Sequence, residues 1–307
     1  MNDIQMYIIS VVVILFLSST LIFIKGPGLS ENFSGYQSQS FSLPFKIVNP
    51  DSTYLMPKDL KEISGLTINE EKKILTVNDE KADLYFYDLT ASHISSEFDF
   101  GKNGDYEAIT LDGKIAYISE SNGNINVIDI TSQTKIKEIK TPLSRRNNIE
   151  GIVYEESAHR LLMACKGDLE NKNRNKRIKG IYAYDLTSNK FLKDPYALIN
   201  LRHVIDSLRP VNLLTNSISK ISVNSRINAF APSGMDIDPL TGNLYIVSNR
   251  GRILTIMSPK KSIIGIYFLP YQLFGQPEGL AFDNEGNLFI SNEANSTKAN
   301  ILRFKRI

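Results

Sequence analysis

The chain has no tryptophan, one cysteine and three histidines in 307 residues. The lone Cys165 excludes an intrachain disulfide and a thiolate zinc site, and says nothing of compartment. His93, His159 and His203 lie far apart in dissimilar contexts, so no metal-ligand spacing involves histidine. Without tryptophan, 14 tyrosines and 15 phenylalanines supply the large anchors. A charge excess is missing too. Lys plus Arg total 35 against 33 Asp plus Glu, a net charge of +2 that gives no reason to expect nucleic acid as a partner. No nucleophile elbow, P-loop or dinucleotide fingerprint occurs.

Charge is also absent from one long run. Tyr7–Ile24 holds 18 residues without a charged side chain, roughly 27 Å of helix and enough to cross a hydrocarbon core. A cleaved signal peptide would carry a basic start and a shorter apolar region. Here the start holds Asp3 and neither Lys nor Arg. We therefore expect a transmembrane anchor over residues 1–25. Residues 26–42, rich in Gly, Ser, Asn and Gln, are expected to form a flexible tether. Lys25 favours the cytoplasm for the segment after the helix, while the α-amino group adds charge before it, so charge alone leaves the orientation open.

From residue 43 to 307 the chain repeats itself. Five motifs precede apolar runs: Glu62–Leu66, Asp105–Ile109, Asn148–Ile152, Ala231–Met235 and Gln276–Leu280. Between their third residues the steps are 43, 43, 83 and 45. Each motif leads into an apolar strand, a polar turn, a second strand ending in polar residues, a third alternating strand and a looser fourth. Four strands per unit of about 40–45 residues is the pattern of a β-propeller blade, in which stacking around a ring buries both faces of every sheet. Residues 196–230 lack strand alternation, so the long step reads as an insertion. The expected fold is all-β, a five-bladed propeller, with six blades as the alternative. The last unit has three strands, and Phe45–Val48 is expected to supply its fourth.

In such a ring the first strands line the axis, which makes Ser64, Glu107, Glu150, Ser233 and Glu278 equivalent. Three carboxylates converging there must raise their pKa values, pair with basic side chains or hold a cation. Oxygen ligands at flexible spacing suit Ca²⁺. Against this, Glu107, Glu150 and Glu278 could accept backbone hydrogen bonds, with Lys166 and Arg250 neutralising them and leaving no room for metal. The ends of the second strands form an outer ring: Asn78, Asp79, Glu80, Ser119, Glu120, Cys165, Lys166, Asn249, Arg250, Asn292 and Glu293, of which Asn78, Asp79, Glu80, Glu120, Lys166, Arg250, Asn292 and Glu293 are candidate pocket residues. Arg145 and Arg146 are a further possible internal counter-charge. The basic stretch Lys166–Lys179 reads as a solvated hairpin, or alternatively as a patch for anionic lipid headgroups. Asp283–Asn287 reads as a β-turn, because it lacks the rest of a calcium loop.

The runs LKEISGLT, ILTVNDE, FDFGKNGDYEAIT, NIEGIVY, APSGMDIDPLTGNLYIVSNR and QPEGLAFDNEGNLFISNEA, in this order and spacing, resemble the SdiA-regulated (YjiK-like) propeller family over residues 45–307. That resemblance implies a five-bladed propeller distantly similar to NHL-repeat proteins, an N-terminal membrane segment, a periplasmic location at the bacterial inner membrane, and a shared calcium site. It places the family's glycine-rich motif on Gly104–Ala108, with Ala108 where glycine is usual, and its other motifs on Pro277–Gly279 and Asn78–Glu80. It implies no activity. The expected function is a monomeric, membrane-anchored, calcium-containing module that binds a protein or small ligand. The alternative is a calcium-dependent hydrolase of lactonase or phosphoesterase type, with Asp79, Glu80, Glu120 and Glu293 as candidate bases.

Overall fold

The computed structural model describes residues 34–167, 169, 177–211, 220–295 and 298–307. The expected membrane segment lies outside them. Among the described residues no helix is long and apolar enough to cross a membrane.

Each repeat becomes one antiparallel sheet, and five sheets make a five-bladed propeller. Blade one consists of Ile63–Ile68, Lys73–Asn78, Asp83–Asp88 and His93–Asp99. Blade two consists of Tyr106–Asp112, Ile115–Glu120, Ile125–Asp129 and Thr134–Ile139. Blade three consists of Ile149–Glu155, Arg160–Cys165, Lys179–Asp185 and Lys190–Ile199. Burial falls from the axis outward: all six residues of the inner strand Pro277–Phe282 are buried, whereas the outer strand His93–Asp99 is mostly exposed. That gradient explains why the fourth strand of each repeat is the hardest to read. An outer strand has one covered face at most, so its alternation is weakly enforced.

Between neighbouring blades lie apolar layers that hold the ring together. Leu75 and Val77 of blade one meet Ile109 and Ile118 of blade two, and Val127 of blade two meets Ile152 and Met163 of blade three. Polar side chains fix the register of adjacent inner strands. Thr110 Oγ1 accepts a hydrogen bond from the Tyr154 N–H at 3.0 Å, and Asp236 Oδ2 accepts one from the Phe282 N–H at 2.8 Å.

Blade four is a six-stranded sheet. Its four repeat strands are Ala231–Ile237, Leu244–Arg250, Ile253–Met257 and Ile263–Phe268. Ser34–Gln37, inside the stretch expected to be a tether, adds a fifth strand against Ile263–Phe268, and Arg209–Val211 adds a sixth. The long step between motifs is an insertion, not a sixth blade. It carries a short helix Leu201–Val204 and a helix Lys220–Asn228, whose Val223 and Ile227 pack with Leu201 and Phe230 into the layer between blades three and four.

Blade five closes the ring with Pro277–Phe282, Leu288–Asn292 and Asn300–Phe304. Its outer strand is Ser52–Leu55, paired with Asn300–Phe304, and not Phe45–Val48. Leu43, Phe45 and Ile47 alternate like a strand. Instead they bury their side chains in the layer between blades four and five, with Pro44 interrupting the run. Arg306 adds a latch across this junction, pairing with the fully buried Asp238 of blade four.

Candidate functional site

All five axial motifs share a local irregularity that the repeat alone does not reveal. Register slips between the first and second strands at Ile63/Leu66, Tyr106/Ala108, Ile149/Gly151, Pro232/Gly234 and Pro277/Gly279. At four of these sites one extra residue is inserted: Glu107, Glu150, Ser233 or Glu278. Such a bulge takes a residue out of the alternating pleat and re-aims its side chain. Glycines follow because the backbones crowd: a Cβ on Gly65 would lie 2.5 Å from Ala108 Cα, and one on Gly234 would lie 2.7 Å from the Glu278 carbonyl oxygen.

The bulges bring Ser64, Glu107, Glu150 and Glu278 onto one cavity of about 300 Å³. Asp79, Lys166 and Glu293 of the outer ring also line it, together with Glu62, Ile63, Asn249 and Gln276. Six carboxylates thus face one ammonium group among the described lining. Lys166 Nζ contacts Glu150 Oε1 at 2.8 Å, and Asn148 Nδ2 donates to the same oxygen at 2.6 Å. Glu278 Oε1 accepts from Asn249 Nδ2 at 2.6 Å and from Gln276 Nε2 at 3.1 Å. Gln276 also donates to Glu293.

Burial dominates the ionisation of this site. It pushes Glu107 up to about 9, reinforced by Glu150 and Asp105 and opposed by Lys166. Burial raises Glu278 to about 7, with Lys166 and its hydrogen bonds from Asn249 and Gln276 working the other way. Glu150 is also raised by burial, although Lys166 and Asn148 pull it down. Asp79 reaches about 6 through burial and the nearby Glu62 and Glu80, and Glu293 about 6 through burial, Asp79 and Glu62. For Lys166 burial opposes the charge, but Glu150, Glu278 and Glu107 outweigh it and raise the ammonium pKa.

The remaining candidates do not reach the cavity. Asn78 organises the turn after its strand, accepting from the Glu80 N–H at 2.9 Å, and Glu80 itself is exposed. Glu120 accepts from Asn122 and Asn126 at 2.8 and 3.0 Å and so holds the hairpin of blade two. Asn292 is 1% exposed and donates to the Leu273 carbonyl and to Asn300. Arg250, Arg145 and Arg146 are exposed, so the internal counter-charge is Lys166 rather than an arginine. Ser233 lies behind the cavity wall, donating to the Pro277 carbonyl at 2.7 Å. The cavity residues missed in the sequence, Glu62 and Gln276, sit two positions before Ser64 and Glu278. Asn148 holds the same place before Glu150. This first motif position is polar in four of the five repeats, Ala231 being the exception, a signal that the sequence displayed.

Two oxygens on the cavity wall stand out. Asp79 Oδ1 and Asn249 Oδ1 are buried, yet accept no hydrogen bond from the described residues. Buried acceptors without donors are costly, and the Asn249 orientation is fixed by its donation to Glu278. Both oxygens suit a hard cation or a donor group on a ligand. No three acidic, histidine or cysteine side chains among the described residues converge closely enough to hold a metal by themselves.

Residues 165–297 match the family model described as SdiA-regulated. The chain is a β-propeller, and this stretch of it is similar to the SdiA-regulated family. No curated protein matches it. Among solved structures it is similar to glutaminyl cyclase of Myxococcus xanthus, at 10% identity and a TM-score of 0.57, covering 84% of this chain and 95% of that one. A chain of a nidogen/laminin complex is similar at 14% identity and a TM-score of 0.51, covering 85% of each. At such identities the likeness concerns the propeller fold alone.

Proposed function

We propose that this chain is a membrane-anchored, extracytoplasmic propeller whose axial cavity holds a calcium ion and binds a small polar ligand or a partner protein there. The observation that carries the reading is the pair of unpartnered buried oxygens, Asp79 Oδ1 and Asn249 Oδ1, on a wall that also presents six carboxylates. Anchoring rests on the uncharged run Tyr7–Ile24, and the extracytoplasmic location and choice of calcium on the family likeness.

The donor set is almost all oxygen, which fits a hard cation with variable coordination. Asp79 and Asn249 with one of Glu107 or Glu278 are the residues that would hold it, supplemented by water, since no three acidic side chains among the described residues converge closely enough to hold a metal by themselves. Glu150, engaged by Lys166, would keep that ammonium to one side. When bound, the ion would supply the positive charge that Glu107 and Glu278 lack and would polarise an oxygen of the ligand. The test is calcium titration of the full-length chain by calorimetry and thermal melting, repeated on Glu107→Gln, Glu150→Gln and Glu278→Gln. Binding that raises Tm and weakens at least tenfold in Glu107→Gln or Glu278→Gln is expected. No binding up to millimolar calcium would remove the cation from the account.

One observation favours a hydrolase as the second reading. Glu278, raised to about 7 on a cavity of about 300 Å³, can take or give a proton at neutral pH. A screen of lactones and phosphoesters decides it. Turnover that follows a pKa near 7 and vanishes in Glu278→Gln supports an enzyme, and no turnover leaves the binding module.

A further inference from the structure

The polarity of one strand says which way the cavity faces. In blade four the inner strand starts at the cavity end, and the second strand returns there, with Ala231 paired to Arg250. The third strand leaves from that end, and the fourth comes back to it, with Ile253 paired to Phe268. Ser34 pairs with Phe268, and Gln37 with Gly265. The chain therefore meets the propeller at the cavity end of blade four and runs away from it. Nine residues separate Ile24 from Ser34, a reach of about 30 Å at full extension.

At the same end the described loops around blades three and four are basic, whereas those around blade one carry the exposed Asp59, Glu80, Asp99 and Asp105. Residues 140–148, 250–252 and 269–276 contain Lys140, Arg145, Arg146, Arg250 and Arg252 and no acidic residue. Lys140, Arg145, Arg146 and Arg250 are exposed. Beside them Tyr271 is 57% exposed, with the Arg252 guanidinium 4.3 Å from its ring centre. An exposed tyrosine under a basic rim is the composition that settles at a headgroup layer. On the adjoining insertion Arg202 and Asp206 offset each other.

We infer that the cavity-bearing face of blades three and four lies on an anionic lipid surface, with Tyr271 at headgroup depth and Arg145, Arg146 and Arg250 over the phosphates. The inference rests on the membrane-anchored reading and adds to it that the axial cavity opens toward the bilayer. Its ligands then arrive from the membrane side.

The absence of tryptophan supplies the test. Tyr271→Trp gives a protein with one tryptophan, and Leu240→Trp, at a residue 58% exposed in the turn between the first and second strands, reports on the opposite face. Each full-length variant is reconstituted in vesicles of phosphatidylcholine with 30% phosphatidylglycerol, with headgroup-level spin-labelled lipid as quencher. We expect the tryptophan at 271 to be quenched at least threefold more than that at 240. The quenching should fall with added salt, in pure phosphatidylcholine and in the added triple change Arg145→Glu, Arg146→Glu, Arg250→Glu. Equal quenching at both sites, or stronger quenching at 240, overturns the orientation while leaving the anchor intact. A full-length chain that fails to float with the vesicles overturns the anchor and the inference together.

Discussion

At the scale of single residues, Lys166 decides how the axis is held together. Glu150 is 4% exposed and its ammonium partner stands 2.8 Å away. Removing one member of a buried pair leaves the other uncompensated, so Lys166→Met should cost about 3 kcal/mol, a fall of about 6 °C in Tm for a domain of this size. Calcium should recover part of that loss, because a cation takes over the missing charge, and thermal melting with and without calcium measures both. Protonation gives a second expectation. Glu278 and Glu107 are raised to about 7 and about 9 from an ordinary 4.5, so the folded chain binds their protons more tightly than the unfolded chain. Their stabilisation is complete below about 4.5 and is lost as pH rises through 7 and then 9. The Tm of chelator-treated protein should therefore decline between pH 5 and 9, and Glu278→Gln should make the decline below pH 7 shallower, while Glu107, Asp79 and Glu293 keep contributing there. The sequence displayed these carboxylates as equivalent. It did not display that Lys166 would select Glu150 or that Asn249 would bind Glu278, because such choices depend on distances across the ring.

At the scale of elements, the recurring device is a bulge at the start of each inner strand, followed in four blades by glycine. The two are coupled, since the bulge tips a functional side chain into the cavity and the following position meets the neighbouring backbone. Gly65→Ala would set a methyl group 2.5 Å from Ala108 Cα, where only backbone movement relieves the clash. A loss of about 1–3 kcal/mol is expected. Gly151→Ala would meet first Met235 Cγ, at 3.2 Å, a side-chain atom that needs to give by only a few tenths of an ångström, and should cost less. Urea unfolding of the two variants compares them directly. The motif spacing gave away the strands and the glycines. It hid the bulges, because a bulge leaves the inner residue count unchanged in every repeat. The outer strands were least legible for a related reason: Ser52–Leu55 has two half-covered and two exposed residues and hardly any pattern to read.

At the scale of the whole molecule, the ring is fastened from both ends of the sequence. Ser52–Leu55 completes blade five against Asn300–Phe304, while Leu43, Phe45 and Ile47 fill the layer beside it and Arg306 reaches Asp238. A chain lacking residues 1–56 would expose the edge of blade five and empty part of the layer between blades four and five, and should lose cooperative unfolding by circular dichroism. Loss of Ser34–Gln37 alone uncovers only the outer edge of blade four and should cost far less. The five-fold repeat and the position of the insertion were readable because stacked blades impose the same pattern again and again. The closure was not, because its strand comes from a non-repeating segment with apolar residues in two competing places.

The central claim is that the axial cavity is a cation site formed by residues of four blades. The most direct measurement is an anomalous difference map from crystals of the protein grown with terbium in place of calcium. A single strong peak is expected on the cavity, within ligand distance of Asp79 or Asn249 and of Glu107 or Glu278, with Lys166 still on Glu150. A map without a peak there, from crystals diffracting well enough to show the Lys166 ammonium among the three glutamates, would contradict it. The axis would then be an internally neutralised structural core.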